Sequence, residues 1–274
     1  KISMKLLTVQ RRESIKAMLL EKESITVREV METYDVSVET VRRDFDALAG
    51  EGFLNKIYGG ATLKKRTSYV PRELSDQIFS EEKERVAARA VRFMKPGDTI
   101  FMDHSNYVFR MCKGLTALNM EFTVLTNSLQ VLNELSKCPK IRLIAVGGRY
   151  DANEQAFLGP TASGFLQQFQ VDRAFFSCKS FDMKRGLSVA DERVADMLRT
   201  VIACADQPCL LAEHSMFGKA SFAWFGSFDD IRYVFTDRKI DDNWRNYFSR
   251  KHVRLYECID KDRTDEPDED DVEF

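Results

Sequence analysis

Between Val36 and Leu63 the sequence reads VSVETVRRDFDALAGEGFLNKIYGGATL, and its chemistry is concentrated in the adjacent Arg42 and Arg43. A guanidinium aimed at solvent is a fork of N–H donors that can grip a guanine edge or a phosphate through two hydrogen bonds. Ser37 and Thr40 stand at the start of the same helical stretch, where hydroxyls can donate to phosphate or base edges and the helix N-terminus favours an anion. Lys56, and the run Lys64-Lys65-Arg66, add cations just beyond. The competing use of the two arginines is a solvated face neutralised by Glu39, Asp44 or Asp46.

Three short helical patterns position these groups. The first carries Ile15, Met18 and Leu19 on one face, after Arg11-Arg12. The second starts at Thr26, with Glu29 three residues later as a capping box, and places Val27, Val30, Met31 and Tyr34 at helical spacing. The third, capped by Ser37, aligns Val38, Val41, Phe45 and Leu48 in one stripe. At about 100° per residue Arg43 then points almost opposite that stripe, with Arg42 nearer its edge. Gly50 and Gly52 stop the helix, "FLNKIY" reads as a strand, Gly59-Gly60 as a tight turn and "ATL" as the returning strand. Three helices and a hairpin in so short a span make a winged helix-turn-helix.

The block from Arg11 to Leu63 resembles the N-terminal domain of DeoR-type bacterial transcriptional regulators, through "RRESIKAMLL", the VS-x-x-T-V-RRD string and "YGGA". The resemblance implies that Ser37, Glu39, Thr40, Arg42 and Arg43 lie at a DNA operator. It also implies that Gly59 and Gly60 shape the wing; Tyr58 is counted with the DNA-binding residues, and Lys56 of the hairpin would reach the adjacent backbone.

Beyond "TSYVPREL", which reads as a linker, Ser80 to Met94 form an amphipathic helix with Val86, Ala87, Ala90, Val91 and Met94 on one side. Strand-like runs ("TIFM", "FTVLT", "IRLIAV", "RAFFSC", "CLLA", "YVFT", "VRLYE") then alternate with helical stretches near residues 128–137, 161–169, 192–204 and 242–251. That alternation argues for a doubly wound, mostly parallel sheet in an α/β unit. Ligands of such sheets sit beyond the carboxyl ends of the strands. The residues found there are Asp103, His104, Ser105 and Asn106; Asn127 and Ser128; Gly147, Gly148 and Arg149; Lys179; and Glu213, with Ser188 and Lys219 from neighbouring loops.

The order "GDTIFMD", "VLTNS", "AVGGR", "FLGPTA", "RGLS", "MFGKASF" and "YVFTD" is similar to the DeoR-type sensor domain, itself similar to ribose-phosphate isomerase and CoA-transferase folds. This implies a phosphorylated sugar or related metabolite as effector. The chain departs from that pattern at telling places. The small Ser/Gly-Thr-Thr run after the first aspartate is "HSNYV" here, with bulky Tyr107. Lysines expected after "RGLS" and before "FG" are replaced by Leu198, followed by Arg199, and by Met216. Either the effector is not a simple sugar phosphate, or Arg149, Lys179 and Lys219 supply its counter-charge.

Composition is that of a globular protein, with 44% hydrophobic and 31% charged residues and a net charge of −2. No apolar run approaches the roughly 20 residues of a membrane span, so membrane functions are set aside and the cytoplasm is expected. Six scattered cysteines without a C-x-x-C pair read as core thiols, and no metal or cofactor is expected. His104 and His214 each follow an acidic residue, but read as pocket lining; "GPTASG" lacks the lysine of a phosphate loop, and Pro160 reads as a helix start. The acidic segment at the C-terminus reads as a solvated tail.

The sequence thus leads to a winged helix-turn-helix at 5–66, a linker at 67–79, an effector-sensing and oligomerisation unit at 80–258 and a tail at 259–274. The function expected is that of a DNA-binding regulator, a repressor, acting as a dimer or tetramer on double-stranded operator DNA and controlled by a small molecule. No catalytic residue is assigned. The alternative is an isomerase-like enzyme carrying a DNA module, for which Asp103 and Glu213 are the attractive carboxylates.

Overall fold

The structure, a computed structural model, describes residues 8–22, 24–63 and 80–259, and divides into two units between Ser80 and Glu81. Residues Lys64-Lys65-Arg66, the expected linker and all but the first residue of the expected tail lie outside the described residues.

In the first unit the chain runs α1 (Thr8–Lys22), β1 (Ser24–Thr26), α2 (Val27–Tyr34), α3 (Val38–Gly50), β2 (Leu54–Ile57) and β3 (Gly60–Leu63). Local chemistry starts both inner helices. The Thr26 hydroxyl accepts from the Glu29 N–H at 3.1 Å while the Glu29 carboxylate accepts from the Thr26 N–H at 2.7 Å. Asp35, at φ 51°, ends α2, and Ser37 caps α3 by accepting from the Thr40 N–H. Val41, Phe45 and Leu48 are buried against Ile15 and Leu19 of α1, Val30 of α2, and Ile25, Leu54 and Ala61. Val38, expected in the same stripe, is 38% exposed; it lies in the first turn, past the edge of that core.

The wing corrects the sequence reading. It is a three-stranded antiparallel sheet in the order β1-β3-β2, not a hairpin alone. Three residues are too few to announce β1 by alternation, and its last residue doubles as the cap of α2. Nor is Gly59-Gly60 the turn. Gly59, at φ 76°, carries the turn with Tyr58, whereas Gly60 already pairs with Thr26. A Cβ on Gly60 would sit 2.3 Å from the Ile25 carbonyl oxygen, so the close approach of two strands requires glycine there.

The second unit contains α4 (Ser80–Arg92), β4 (Thr99–Met102), α5 (Asn106–Leu118), β5 (Phe122–Thr126), α6 (Leu129–Leu135), β6 (Ile141–Ala145), β7 (Arg149–Asp151), β8 (Ala156–Leu158), α7 (Pro160–Leu166) and β9 (Val171–Phe176). It continues with β10 (Ser180–Asp182), β11 (Gly186–Val189), α8 (Glu192–Ala203), β12 (Ala205–Ala212), β13 (Ala223–Gly226), β14 (Tyr233–Thr236), α9 (Asp242–Arg250) and β15 (Arg254–Glu257). Seven strands form a parallel sheet in the order β6-β5-β4-β9-β12-β14-β15. Runs such as Ile100-Phe101-Met102 and Ala174-Phe175-Phe176 are buried throughout because helices cover both faces.

Three elements exceed the expectation. The residues after Asp103 are not a loop: α5 begins at Asn106 and buries Tyr107, Val108, Met111, Cys112 and Leu115. The strands β7 and β8 form a hairpin, and β10-β11-β13 an antiparallel sheet. Each of these strands is three or four residues long, too short to show a period. Five of the six cysteines are buried and none of the six is in a disulfide, and burial pushes the thiols of Cys112 and Cys178 up to about 12. No described helix is long and apolar enough to cross a membrane.

If Gly60 is where the wing closes on β1, Gly60→Ala should lower the opening free energy of β1–β3 by about 1–3 kcal/mol, the range for overpacking. Hydrogen exchange of those amides measures it directly; unchanged protection would contradict the close approach.

Candidate functional site

The exposed surface of the first unit is built around α3. Arg43 is 76% exposed, and its Nε lies 3.4 Å from the carboxylate of Glu39, itself 66% exposed. So open a pair holds its partners by only about 0.3–0.5 kcal/mol, which leaves the guanidinium available. Arg42 is exposed and has no ion pair among the described residues. Asp44 and Asp46, weighed as neutralising partners of these arginines, are engaged elsewhere. Asp44 turns inward and accepts from Arg11 Nε at 2.6 Å and Arg12 Nε at 2.9 Å. Asp46 holds Lys56 of the wing.

Ser37 is exposed, with its hydroxyl 3.0 Å from that of half-buried Thr40. Tyr58 stands fully exposed at the wing tip beside Ile57, which is 51% exposed. Of the nine residues named for DNA, only Gly60 is buried, and its part is to close the wing. Sequence reasoning did not reach Arg11 and Arg12 as supports of α3; a pair of arginines 32 residues upstream carries no local sign of its partner.

In the second unit the strand order reverses between β4 and β9, and the crevice of a doubly wound sheet opens at such a point. Asp103 spans it. Its N–H donates to Phe175 O, one carboxylate oxygen accepts from the Ser177 N–H at 3.0 Å, and the other accepts from the Ser105 N–H at 2.8 Å. Asp103 is 2% exposed. Burial pushes its carboxyl above the ordinary carboxylate range, against the pull of His104 and of the donors from Ser105 and Ser177. Ser105 caps α5, and Asn106 is that helix's first residue.

Neighbouring groups are tied to one another. His104 Nε2 lies 3.3 Å from Glu154 in the β7–β8 turn. The Tyr107 hydroxyl donates to Glu213 at 3.1 Å, and Ser215 donates to the other Glu213 oxygen. The N–H and Nδ1 of His214 each lie 2.7 Å from the Asp237 carboxylate. Burial, then Glu213 and Asp237, hold the Tyr107 phenol well above its usual range, so it stays a donor. Asn127 donates its amide to Phe157 O and accepts the Phe157 N–H, clamping the hairpin, and Ser128 caps α6.

The other named residues divide by exposure. Gly147 and Gly148, between β6 and β7, and Arg149, which opens β7, are exposed, as are Lys179 and Lys219. The Lys219 N–H donates to Phe181 O and the Lys179 N–H to Ser188 O, which places both lysines beside the β10–β11 pair. Ser188 is buried, hydrogen-bonded to Ser180 and accepting the Ser221 N–H. Leu198 and Met216, standing where lysines were expected, are both buried. Ser177, Asp237, Glu154 and Lys83 were not foreseen. The first two directly follow strands, a signal the sequence did carry; Glu154, and Lys83 under the Tyr107 ring, come from elements brought in by the fold.

A three-helix unit with a strand wing and solvent-facing arginines on its third helix, followed by a parallel α/β unit with a polar crevice, defines a DNA-binding transcriptional regulator with a sensor. The chain belongs to the DeoR family: residues 11–67 match the DeoR-like helix-turn-helix domain and residues 78–238 the DeoR C terminal sensor domain. It is 28% identical over 253 residues to the HTH-type transcriptional regulator IolR of Bacillus subtilis (strain 168), covering 92% of this chain and 99% of that one. It is 25% identical over 249 residues to the Glycerol-3-phosphate regulon repressor of Escherichia coli (strain K12), covering 91% and 98%. Among solved structures, ribose 5-phosphate isomerase from Plasmodium falciparum matches 50% of this chain and 52% of its own, with a TM-score of 0.38 and 12% identity.

Because the folded state holds the Asp103 proton to higher pH than the unfolded chain does, its contribution to stability is full below about pH 4 and is lost as pH rises through the raised folded value. Asp103→Asn, which cannot titrate, should therefore gain stability relative to the parent as the pH rises from about 4 to about 7 in urea unfolding. Parallel curves would mean that Asp103 is not desolvated.

Proposed function

We propose that α3 enters the major groove of an operator, with Arg42 and Arg43 reading base edges or gripping phosphate and Ser37, Glu39 and Thr40 beside them. Lys56, Tyr58 and Gly59 follow the adjacent backbone, and Gly60 holds the wing in shape. The observation that carries this is the solvent-facing guanidinium pair opposite a buried stripe. The helix is narrow enough for a groove about 12 Å wide. One small winged module holds few phosphates, so the chain would act as a dimer or tetramer on a two-fold site. Its place of action would be the cytoplasm, where the DNA is, and repression is the sign in keeping with the name of the glycerol-3-phosphate relative.

The effector proposed is a small metabolite at the carboxyl ends of β4, β9 and β12, a phosphorylated sugar or related compound. Lys179 and Lys219 flank the β10–β11 pair and Arg149 opens the neighbouring hairpin, so counter-charge is available although Leu198 and Met216 have joined the core. Binding would shift operator affinity by favouring one arrangement of the assembly. An enzymatic role is disfavoured by the state of its two carboxylates. Asp103 is buried on two backbone N–H groups, and Glu213 is taken by two hydroxyls. Neither stands open as a base.

Two outcomes test this. Selection from a random duplex pool should enrich a sequence with the parent protein and none with Arg43→Ala, whose far-ultraviolet circular dichroism is unchanged; enrichment by the variant would remove Arg43 from the interface. In a thermal-shift screen, one phosphorylated sugar should raise the melting temperature and its unphosphorylated counterpart should not. No response to any phosphate would count against a phosphate effector.

A further inference from the structure

Two solvent-accessible cations are tethered to α3, one on each side of Arg43. Around the helix, at about 100° per residue, Asp44 lies about 100° to one side of Arg43, while Asp46 at about 60° and Arg42 at about 100° lie to the other. On the first flank Asp44 holds Arg12 of α1; on the second Asp46 holds Lys56 of the wing. The two arginines on Asp44 are not equivalent. Arg11 is 7% exposed and part of the core. The Arg12 side chain is 32% exposed and binds Asp44 through Nε alone; its two terminal amino groups have no partner among the described residues. A guanidinium carries separate donors at Nε and at its amino groups, so one carboxylate can fix its direction while the outer donors remain free.

We propose that Arg12 is a phosphate contact, held by Asp44 so that its free amino groups meet the DNA backbone on the side of the groove opposite Lys56. This rests on the reading that the exposed face of α3 lies in the groove. A side-chain-clad helix about 10–12 Å across fills a groove about 12 Å wide, so cations on its two flanks face the two strands that wall it. The pair of tethers then sets the depth and roll of α3, while Arg43, between them, is left to the floor. Asp46 pairs one to one with Lys56, whereas Asp44 shares a single negative charge between Arg11 and Arg12, which leaves that flank net positive.

The test is the salt dependence of binding by the full chain to a fluorescein-labelled random-sequence DNA duplex, read by anisotropy between about 50 and 200 mM salt. Each phosphate contact contributes about 0.9 to the slope of log K against log salt. Arg12→Gln should lower the slope by about 0.9 for every chain bound, and Lys56→Gln by the same amount. A smaller folded fraction lowers affinity equally at every salt concentration and leaves the slope alone, so a stability defect does not imitate the effect. Arg12→Met, which keeps the aliphatic stem, serves if Arg12→Gln does not fold. A slope lowered by Lys56→Gln but unchanged by the Arg12 variants would overturn the Arg12 contact alone. Parent slopes for Lys56→Gln, Arg43→Ala and the Arg12 variants together would instead overturn the placement of α3 in the groove.

Discussion

Asp44, 1% exposed within a helix of the first unit, is a carboxylate removed from water and the least exposed charged residue described in that unit. A buried charge must be met by charge and hydrogen bonds, and leaving one unpaired costs about 3–5 kcal/mol. Two arginines from α1 meet it, one to each oxygen. That requirement fixes α1 against α3 in register as well as in contact, which a hydrophobic stripe alone does not do. Orientation of the exposed face follows: with Val41, Phe45 and Leu48 inward and Asp44 drawn to α1, Arg42 and Arg43 point toward solvent.

The second unit repeats the device at its switch point. Asp103 sits where the sheet's strand order reverses, and its two oxygens take backbone N–H groups from two different connections. The N-terminus of α5 and the loop after β9 are thereby held together beneath the crevice. Around that anchor, acids and bases are matched internally: His104 with Glu154, His214 with Asp237, Tyr107 with Glu213. The acids of the floor are thus each paired, while Lys179, Lys219 and Arg149 are exposed and in no ion pair among the described residues. Recognition of an anion here would begin at the rim, where desolvation is cheap, rather than at the floor.

Tyr107 shows how one residue reorganises such a site. Its phenol reaches across to Glu213 from the first turn of α5. Filling that space with an aromatic ring removes room at the helix N-terminus. It also hands Glu213 a neutral donor, which keeps that carboxylate occupied. Leu198 and Met216 likewise add their side chains to the core.

Much of this was legible in the sequence because it rests on local rules. The Thr26–Glu29 capping box, the Ser37 cap, the stripe of α3 and the seven apolar runs of the main sheet depend on residues a turn or a strand apart, and their periods are written in order along the chain. The short elements β1, β7, β8, β10, β11 and β13 carry too few residues to show a period. The helix α5 does show one, from Tyr107 to Leu115, but it follows the first strand so closely that its opening read as a binding loop. What the tertiary structure alone decided is who meets whom. The partners of Asp44 lie 32 and 33 residues away, and Asp103 is completed by Ser177, 74 residues on. Sequence determines which groups need partners, since burial of a charge demands one; only the folded chain, by bringing distant segments within hydrogen-bond reach, determines which partner each receives.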